Sequence, residues 1–169
     1  MRLLLHRILL LGAVALILPA CDLPSGMARF SDPGIETFPD EGNDHVPVGT
    51  PITYNTDPPT SGPHYPDPQE GGYYMIAIAP GFLVHSLEHG AVVLYYNPLT
   101  TSNSQRSHLK ALAKAHPGSF SQVVAVPRND PTYPIILTAW THRLRLADYD
   151  ADRIDGFVAL FLGQGPEKE

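Results

Sequence analysis

The distribution of proline limits where this chain can form regular structure. The sequence contains 18 prolines in 169 residues, about twice the usual content of roughly 5%, and they cluster before residue 70. Pro58, Pro59, Pro63 and Pro66 all fall within residues 57–66, which we call the proline loop. Because each proline lacks a backbone N–H donor, this segment cannot lie inside a sheet. It predicts a rigid loop, and such loops often carry functional sites.

The N-terminus has the layout of an export signal. Arg2 and Arg7 precede an apolar run over residues 8–18, and Ala20 stands directly before Cys21, as in a cleaved secretory signal peptide. The run has eleven residues, whereas spanning a bilayer takes roughly 20. Residues 18–21, with the sequence LPAC, resemble the lipobox of bacterial lipoproteins. In that motif the cysteine is lipidated and becomes the new N-terminus.

These features predict three parts of the chain. Residues 1–20 form a lipoprotein signal peptide, residues 21–45 a lipidated Cys21 and a flexible tether, and residues 46–169 a single globular domain. We expect the domain to be anchored to the cell membrane on its extracytoplasmic side, facing the periplasm or the cell surface. Cys21 is the only cysteine, so no disulfide can form within the chain. The formal net charge of −6 argues against nucleic acid as a partner.

The apolar patterns predict an α+β fold, or a small mixed α/β fold, in which a mixed sheet packs with short helices. The run at residues 91–96 is apolar throughout and predicts a buried central strand. Gly90 before it is expected to end a brief helix in the left-handed conformation, and Asp150 is a plausible N-cap of the last helix. The predicted strands span residues 52–54, 73–79, 91–96, 122–126 and 135–141, and the predicted helices span 82–89, 104–115 and a segment that starts at 150.

The segment His85-Ser86-Leu87-Glu88-His89-Gly90 carries the clearest chemical pattern. Histidines four residues apart lie on the same face of a helix, and two neutral imidazoles so placed can bind one divalent cation. The alternative is that both histidines are structural and cap the end of the helix. His64, on the proline loop, becomes a third nitrogen ligand if the loop folds over this helix. Three histidines with a water are a known zinc arrangement.

The sequence resembles a bacterial family known as domain of unknown function 3105. The segments Pro58-Pro59-Thr60-Ser61-Gly62-Pro63-His64 and His85-Ser86-Leu87-Glu88-His89-Gly90 look like its two hallmark motifs, and the similarity runs from about Val46 to Glu167. Members of the family are typically exported or anchored to a membrane. The resemblance implies that His64, His85, Glu88 and His89 belong to one site, but it implies no activity.

Three functions remain open from the sequence. The first is a lipid-anchored protein that binds a transition metal, zinc or copper, through His64, His85 and His89. The second is a metal-dependent hydrolase with Glu88 as general base, although Glu88 is expected to point about 100° around the helix from His89. The third is an interaction module of the cell envelope with structural histidines. His45 falls in the predicted tether and is expected to be solvated, and Met75 is expected to pack in the core.

Overall fold

The computed structural model describes residues 30–168. The predicted signal peptide, Cys21 and residues 22–29 of the predicted tether lie outside this range. No helix within the described range is both long enough and apolar enough to cross a membrane. The elements in chain order are β1 (Ile35–Thr37), β2 (Gly72–Tyr73), α1 (Pro80–Glu88), β3 (Val92–Tyr96), α2 (Asn103–Ala115), β4 (Pro117–Gly118), β5 (Ser121–Pro127), β6 (Ile135–Ala139), β7 (His142–Leu146) and α3 (Ala151–Phe161).

A mixed sheet of seven strands forms the centre of the domain. Six strands follow the order β1-β7-β6-β3-β5-β2, and β4 pairs with β5. Strand β5 runs parallel to both β3 and β2, whereas β1, β7, β6 and β3 pair antiparallel to one another. The predicted single compact domain with a mixed sheet and short helices is therefore confirmed.

Strand β3 is buried on both faces because helices cover both sides of the sheet. All five of its residues are buried. Leu94 lies in one apolar cluster with Leu109 of α2 and Phe157 of α3. Val93 lies in a second cluster with Leu83 of α1. Because both faces of β3 need apolar side chains, the uninterrupted apolar run predicted this position correctly.

Helix α1 is buried on almost all sides, so its polar residues are buried as well. Pro80 lies in the first turn, where its missing N–H has no intrahelical partner to lose. Gly90 follows the helix with a φ of 87°, as predicted. His85 and Glu88 are each only 4% exposed. Burying an ionisable group costs free energy unless the group is paired or binds a ligand, so these two residues indicate a functional site on α1.

Two predicted strands at the beginning of the domain are wrong or too long. Residues 52–54 form no strand, and the predicted strand at 73–79 pairs only at its start. The N–H of Tyr74 donates to the carbonyl oxygen of Ala125 at 2.8 Å, and the chain then bends away from the sheet. Met75 is therefore 79% exposed rather than packed in the core.

The predicted strand at residues 135–141 is too long by two residues, which form a tight turn, and the strand after this turn, β7, was not predicted. Strand β6 ends at Ala139, and β7 begins at His142, its register partner across the hairpin. Thr141, in the turn, has a φ of 62°, an unusual conformation for a β-branched residue. Without glycine or asparagine in the turn, the sequence shows no hairpin signal.

The predicted tether is wrong for residues 30–45, which belong to the folded domain. Strand β1 pairs with β7 at the edge of the sheet. Asp32 accepts two hydrogen bonds from Arg153 of α3, the longer at 2.9 Å. Asp40 accepts one from the indole N–H of Trp140 at 3.0 Å. These contacts bring polar side chains to partners that are distant in sequence, and a local pattern of breakers and charges does not reveal them.

Candidate metal centre

Three segments of backbone bring histidines to the same side of α1. The N–H of His64 donates to the carbonyl oxygen of Asp44 at 3.0 Å, and the N–H of Val46 donates to that of His64 at 2.8 Å. His45 and His64 thus form a parallel β-bridge. The proline loop lies against α1 so closely that a β-carbon at Gly81 would be 2.7 Å from the ring of Tyr65. His45, His64 and the helix therefore meet without a flexible connection.

His64 is fully buried, and one of its ring nitrogens has no hydrogen-bond partner. Its Nδ1 lies 2.9 Å from the carbonyl oxygen of Gly62. Because a carbonyl oxygen only accepts, Nδ1 carries the hydrogen and Nε2 of the neutral ring has a free lone pair. Nε2 lies 3.0 Å from Oε2 of Glu88, but the geometry of this contact makes no hydrogen bond. The buried Nε2 thus faces a carboxylate oxygen at a distance that a shared cation can bridge.

His85 is held in the same way. Its Nδ1 lies 2.7 Å from the carbonyl oxygen of Tyr65, so this nitrogen is also a donor and Nε2 has the lone pair. Burial lowers the pKa of His85, despite the opposing effect of the bond to Tyr65, and nearby His64 and His89 lower it further. His85 is therefore kept neutral, which is the form of histidine that binds a metal.

Glu88 supplies a carboxylate to the histidines. Its Oε1 accepts a hydrogen bond from the side-chain amide of Asn43 at 2.6 Å. Its Oε2 lies 3.0 Å from Nε2 of His64 and 4.0 Å from Nε2 of His45. The ring of His45 stacks on that of His85 with centroids 4.9 Å apart. Glu88 and the three rings thus surround one small volume, open to solvent on the side of His45, whose side chain is 51% exposed.

His89 lies on the other side of His85 and meets the C-terminal tail. Its Nε2 is 3.0 Å from Nε2 of His85 and 2.9 Å from Oε2 of Glu167. Phe120 stacks on its ring with centroids 4.5 Å apart. The tail is held here because the N–H of Glu167 donates to the carbonyl oxygen of Glu88 at 3.2 Å.

The candidate ligands form two overlapping groups on the described part of the chain. In each group one ligand atom per residue lies within 4.8 Å of all the others. We call His45, His64, His85 and Glu88 the inner position. We call His85, Glu88, His89 and Glu167 the outer position.

The geometry differs in part from the predicted set of His64, His85 and His89. The structure brings His64 to His85, as expected from a loop that folds over α1. His64 and His89, however, fall in different groups. Glu88 faces the histidines rather than turning away, since residues three apart on a helix are neighbours, and this spacing from His85 was a signal in the sequence. His45 joins the site instead of being free in solution.

The comparison with protein families adds one finding. A model of the family described as Protein of unknown function (DUF3105) matches residues 45–169. The chain belongs to this family. The matched span begins at His45 and contains all of the candidate ligands of both positions. No curated protein matches the chain, and no solved structure matches it.

Two other histidines and a serine of the DUF3105 domain make structural contacts and belong to neither position. His108 contacts Tyr149 at 2.6 Å and Asp155 at 2.9 Å, joining α2 to α3. His142 contacts the carbonyl oxygen of its own turn at 2.8 Å. Ser86 donates to backbone carbonyl oxygens, not to a histidine. It is therefore not arranged as an activated nucleophile.

Proposed function

We propose that the domain binds one transition-metal ion, zinc or copper, at the inner position. The observation that carries the proposal is the shared arrangement of His64 and His85. Each donates its Nδ1 hydrogen to a backbone carbonyl oxygen and turns the lone pair of Nε2 inward. A hydrogen bond of this kind on the far ring nitrogen is typical of histidines that bind a metal, because it fixes the tautomer and the ring orientation.

The distances suit a small divalent cation. Zinc lies about 2.0–2.1 Å from histidine nitrogens, which places the donor atoms of a tetrahedral site roughly 3.3 Å apart. Nε2 of His64 and Oε2 of Glu88 are 3.0 Å apart. The four inner donor atoms lie within 4.8 Å of one another, so ion binding requires small inward movements. The half-exposed His45 can make the largest of these.

The donor set favours binding over hydrolysis. Three imidazoles and one carboxylate complete a four-coordinate zinc shell, whereas a catalytic zinc has three protein ligands and an open position for water. One oxygen of Glu88 is engaged by Asn43 and the other faces His64. These contacts support a role for Glu88 as a ligand rather than as a general base that reaches a metal-bound water.

The test is elemental analysis of the full-length protein, extracted in mild detergent and purified without a histidine tag. We expect about one equivalent of zinc or copper in the wild type. We expect its loss in His64→Asn and a weaker affinity, by about tenfold or more, in His45→Ala. Because His45 is half exposed, this variant should fold. His116→Ala, which removes a histidine outside both positions, is the matched control.

One result would reject the proposal. Wild-type protein that unfolds cooperatively, contains no metal and binds neither added zinc nor added copper would have purely structural histidines. The envelope interaction module would then be the better interpretation, and a partner should be sought at the exposed apolar side chains of Met75 and Ile76.

We also propose that the protein is exported and anchored to the membrane through a lipid on Cys21. The charge and apolar pattern of residues 2–18 and the small residue before Cys21 support this. Mass spectrometry of the N-terminal peptide should find residues 1–20 removed and a diacylglycerol on Cys21. In Cys21→Ser the protein should leave the membrane fraction. An unmodified thiol at Cys21 would contradict the proposal.

A further inference from the structure

The outer position shares two ligands with the inner position but has no fully buried ligand. His85 and Glu88 belong to both groups. The outer group adds His89, whose side chain is 13% exposed, and Glu167, which is 48% exposed. The inner group adds His64, which is fully buried, and His45, which is 51% exposed. Each position therefore has one half-exposed ligand, and that of the outer position is a carboxylate, whose charge attracts a cation from solvent.

Both positions open toward one cleft. This cleft has a volume of about 360 Å³ and is lined by Asn43, His45, Glu88, Pro166 and Glu167. Glu88 is the deepest of these ligands, being 4% exposed. An ion that enters the cleft thus meets exposed ligands of both groups before it reaches His64.

The shared histidine can serve one ion at a time. Nδ1 of His85 is committed to the carbonyl oxygen of Tyr65 at 2.7 Å, so Nε2 is its only free donor atom. The ring of His85 therefore has one atom to offer. Two ions cannot both use it, and the inner and outer positions are alternatives for the same ion.

The C-terminal tail brings Glu167 to this place through tight backbone contacts. The N–H of Gly163 donates to the carbonyl oxygen of Gly90 at 2.8 Å. A β-carbon at Gly165 would overlap the carbonyl oxygen of Glu88 and the backbone nitrogen of Gly90. Only glycine permits this approach, and a side chain at residue 165 would lift the tail from α1.

We infer that the ion enters and leaves through the outer position, with Glu167 as the ligand that transfers it. This inference rests on the proposed metal-binding function. In the transfer, His85 and Glu88 stay bound while His89 and Glu167 are exchanged for His45 and His64. No electron is transferred in this step. Because Nε2 of His85 has the lone pair, Nε2 of His89 carries the hydrogen of their 3.0 Å contact. This hydrogen moves to Nδ1 of the same ring when the ion binds at the outer position, and it returns to Nε2 when the ion moves inward.

The arrangement has a kinetic signature that separates it from ordinary coordination. A ligand that acts only on the route lowers the barrier equally in both directions. Its loss slows association and dissociation together and leaves the dissociation constant unchanged. A ligand of the resting site behaves differently, because its loss weakens affinity and speeds dissociation.

The experiment measures zinc exchange by the full-length protein in stopped flow against a chromophoric zinc chelator. We expect Glu167→Gln to slow both rates by about tenfold, which corresponds to about 1.4 kcal/mol in the barrier, with a dissociation constant within about threefold of the wild type. Gly165→Ala, which lifts the tail without changing a ligand, should act in the same direction. Glu70→Gln is the matched control because it removes the same charge from an exposed glutamate outside both groups, and it should leave both rates unchanged.

Several outcomes would overturn the inference. Two zinc equivalents in the wild type would show that the positions are not alternatives. A lower affinity with faster dissociation in Glu167→Gln would make Glu167 a resident ligand. Unchanged rates in both tail variants would show that the tail takes no part in zinc exchange. In each case the wild type still binds zinc, whereas failure of the proposed function appears in the wild type itself, which would then take up none.

Discussion

Glu36→Gln tests whether residues 30–45 are held on the domain as the structure shows. The carboxylate of Glu36 on β1 accepts two hydrogen bonds from Arg143, at 3.0 and 3.2 Å, and two from Arg145, both at 3.0 Å. The side chain of Arg143 is 9% exposed, and that of Glu36 is 34% exposed. The substitution leaves one acceptor oxygen and turns an NH2 group toward the guanidinium groups.

The magnitude follows from burial. A hydrogen bond to a charged group contributes about 1.5–3 kcal/mol when buried, while an exposed ion pair contributes roughly 0–1 kcal/mol. The pair with Arg145 is exposed, so the pair with Arg143 should dominate. We expect Glu36→Gln to lower the free energy of unfolding by about 1.5–3 kcal/mol. The control Glu70→Gln should change it by less than about 0.5 kcal/mol.

The assay is urea unfolding followed by the fluorescence of Trp140, the only tryptophan. Hydrogen bonds from Arg143 hold the pKa of Glu36 below its ordinary value of 4.5. Its contribution is therefore present above that pH and is lost as the pH falls through the lower, folded-state pKa. The wild type and the variant should converge in acid. Equal stabilities at pH 7 would refute the docking of β1 by this carboxylate.

Three further predictions concern the ion and the backbone. Zinc at 100 times its dissociation constant should raise the free energy of unfolding by about 2.7 kcal/mol and the melting temperature by on the order of 10 °C. A chelator should reverse both changes. An unchanged melting temperature would contradict binding of zinc to the folded state. Gly90→Ala should lower the free energy of unfolding, measured in urea, by at least about 2 kcal/mol, because φ is 87° and the new β-carbon would be 2.8 Å from Gly163. Gly42 has a similar φ of 84° but no neighbour within 4 Å of a β-carbon. Gly42→Ala should therefore lower the free energy of unfolding by only about 1 kcal/mol. Asp32→Asn should destabilise the domain at pH 7 but not in acid. Hydrogen bonds from Arg153 hold the pKa of Asp32 below 3.8, and the contribution of the carboxylate is lost as the pH falls through that lowered value. An equal loss of stability at both pH values, measured by urea unfolding, would rule out the charge as the cause.

The sequence correctly predicted the elements that are specified by residues within or next to the element itself. Asp150 accepts a hydrogen bond from the N–H of Arg153 at 3.1 Å, as its place before the helix predicted. The apolar run at 91–96 corresponds to β3, and the helix at 104–115 corresponds to α2. In each case the capping residue or the apolar period lies within the element itself.

The elements that it missed depend on partners far along the chain. Strand β1 has three residues, too few for a period, and its partner β7 lies more than 100 residues later. The β6–β7 turn depends on a left-handed Thr141, which its residue type does not announce. Such pairings are set by tertiary contacts rather than by local propensity.

The candidate site divides in the same way. His64 and His85 could be joined from sequence, because a rigid proline loop beside a short helix predicts close approach. His45 and Glu167 could not, since one reaches the site through a β-bridge to His64 and the other through a tail bonded to the end of α1. Glu167 lies near the C-terminal end of the described chain and His45 lies between β1 and the proline loop, so neither belongs to an element with a periodic pattern.

The proposed ion would be cargo for this fold and not part of its scaffold. Two apolar clusters, on opposite faces of the sheet, are complete without the ligand residues, and a domain of this size can be stable without a metal. Small zinc domains, in contrast, fold only when the metal binds. The most buried ligands here, His64 and His85, are fixed by backbone carbonyls, while His45 and Glu167 are half exposed. A rigid pair of ligands preserves the site between loadings, and an exposed pair lets the ion exchange, so the apo protein should remain folded and ready to bind.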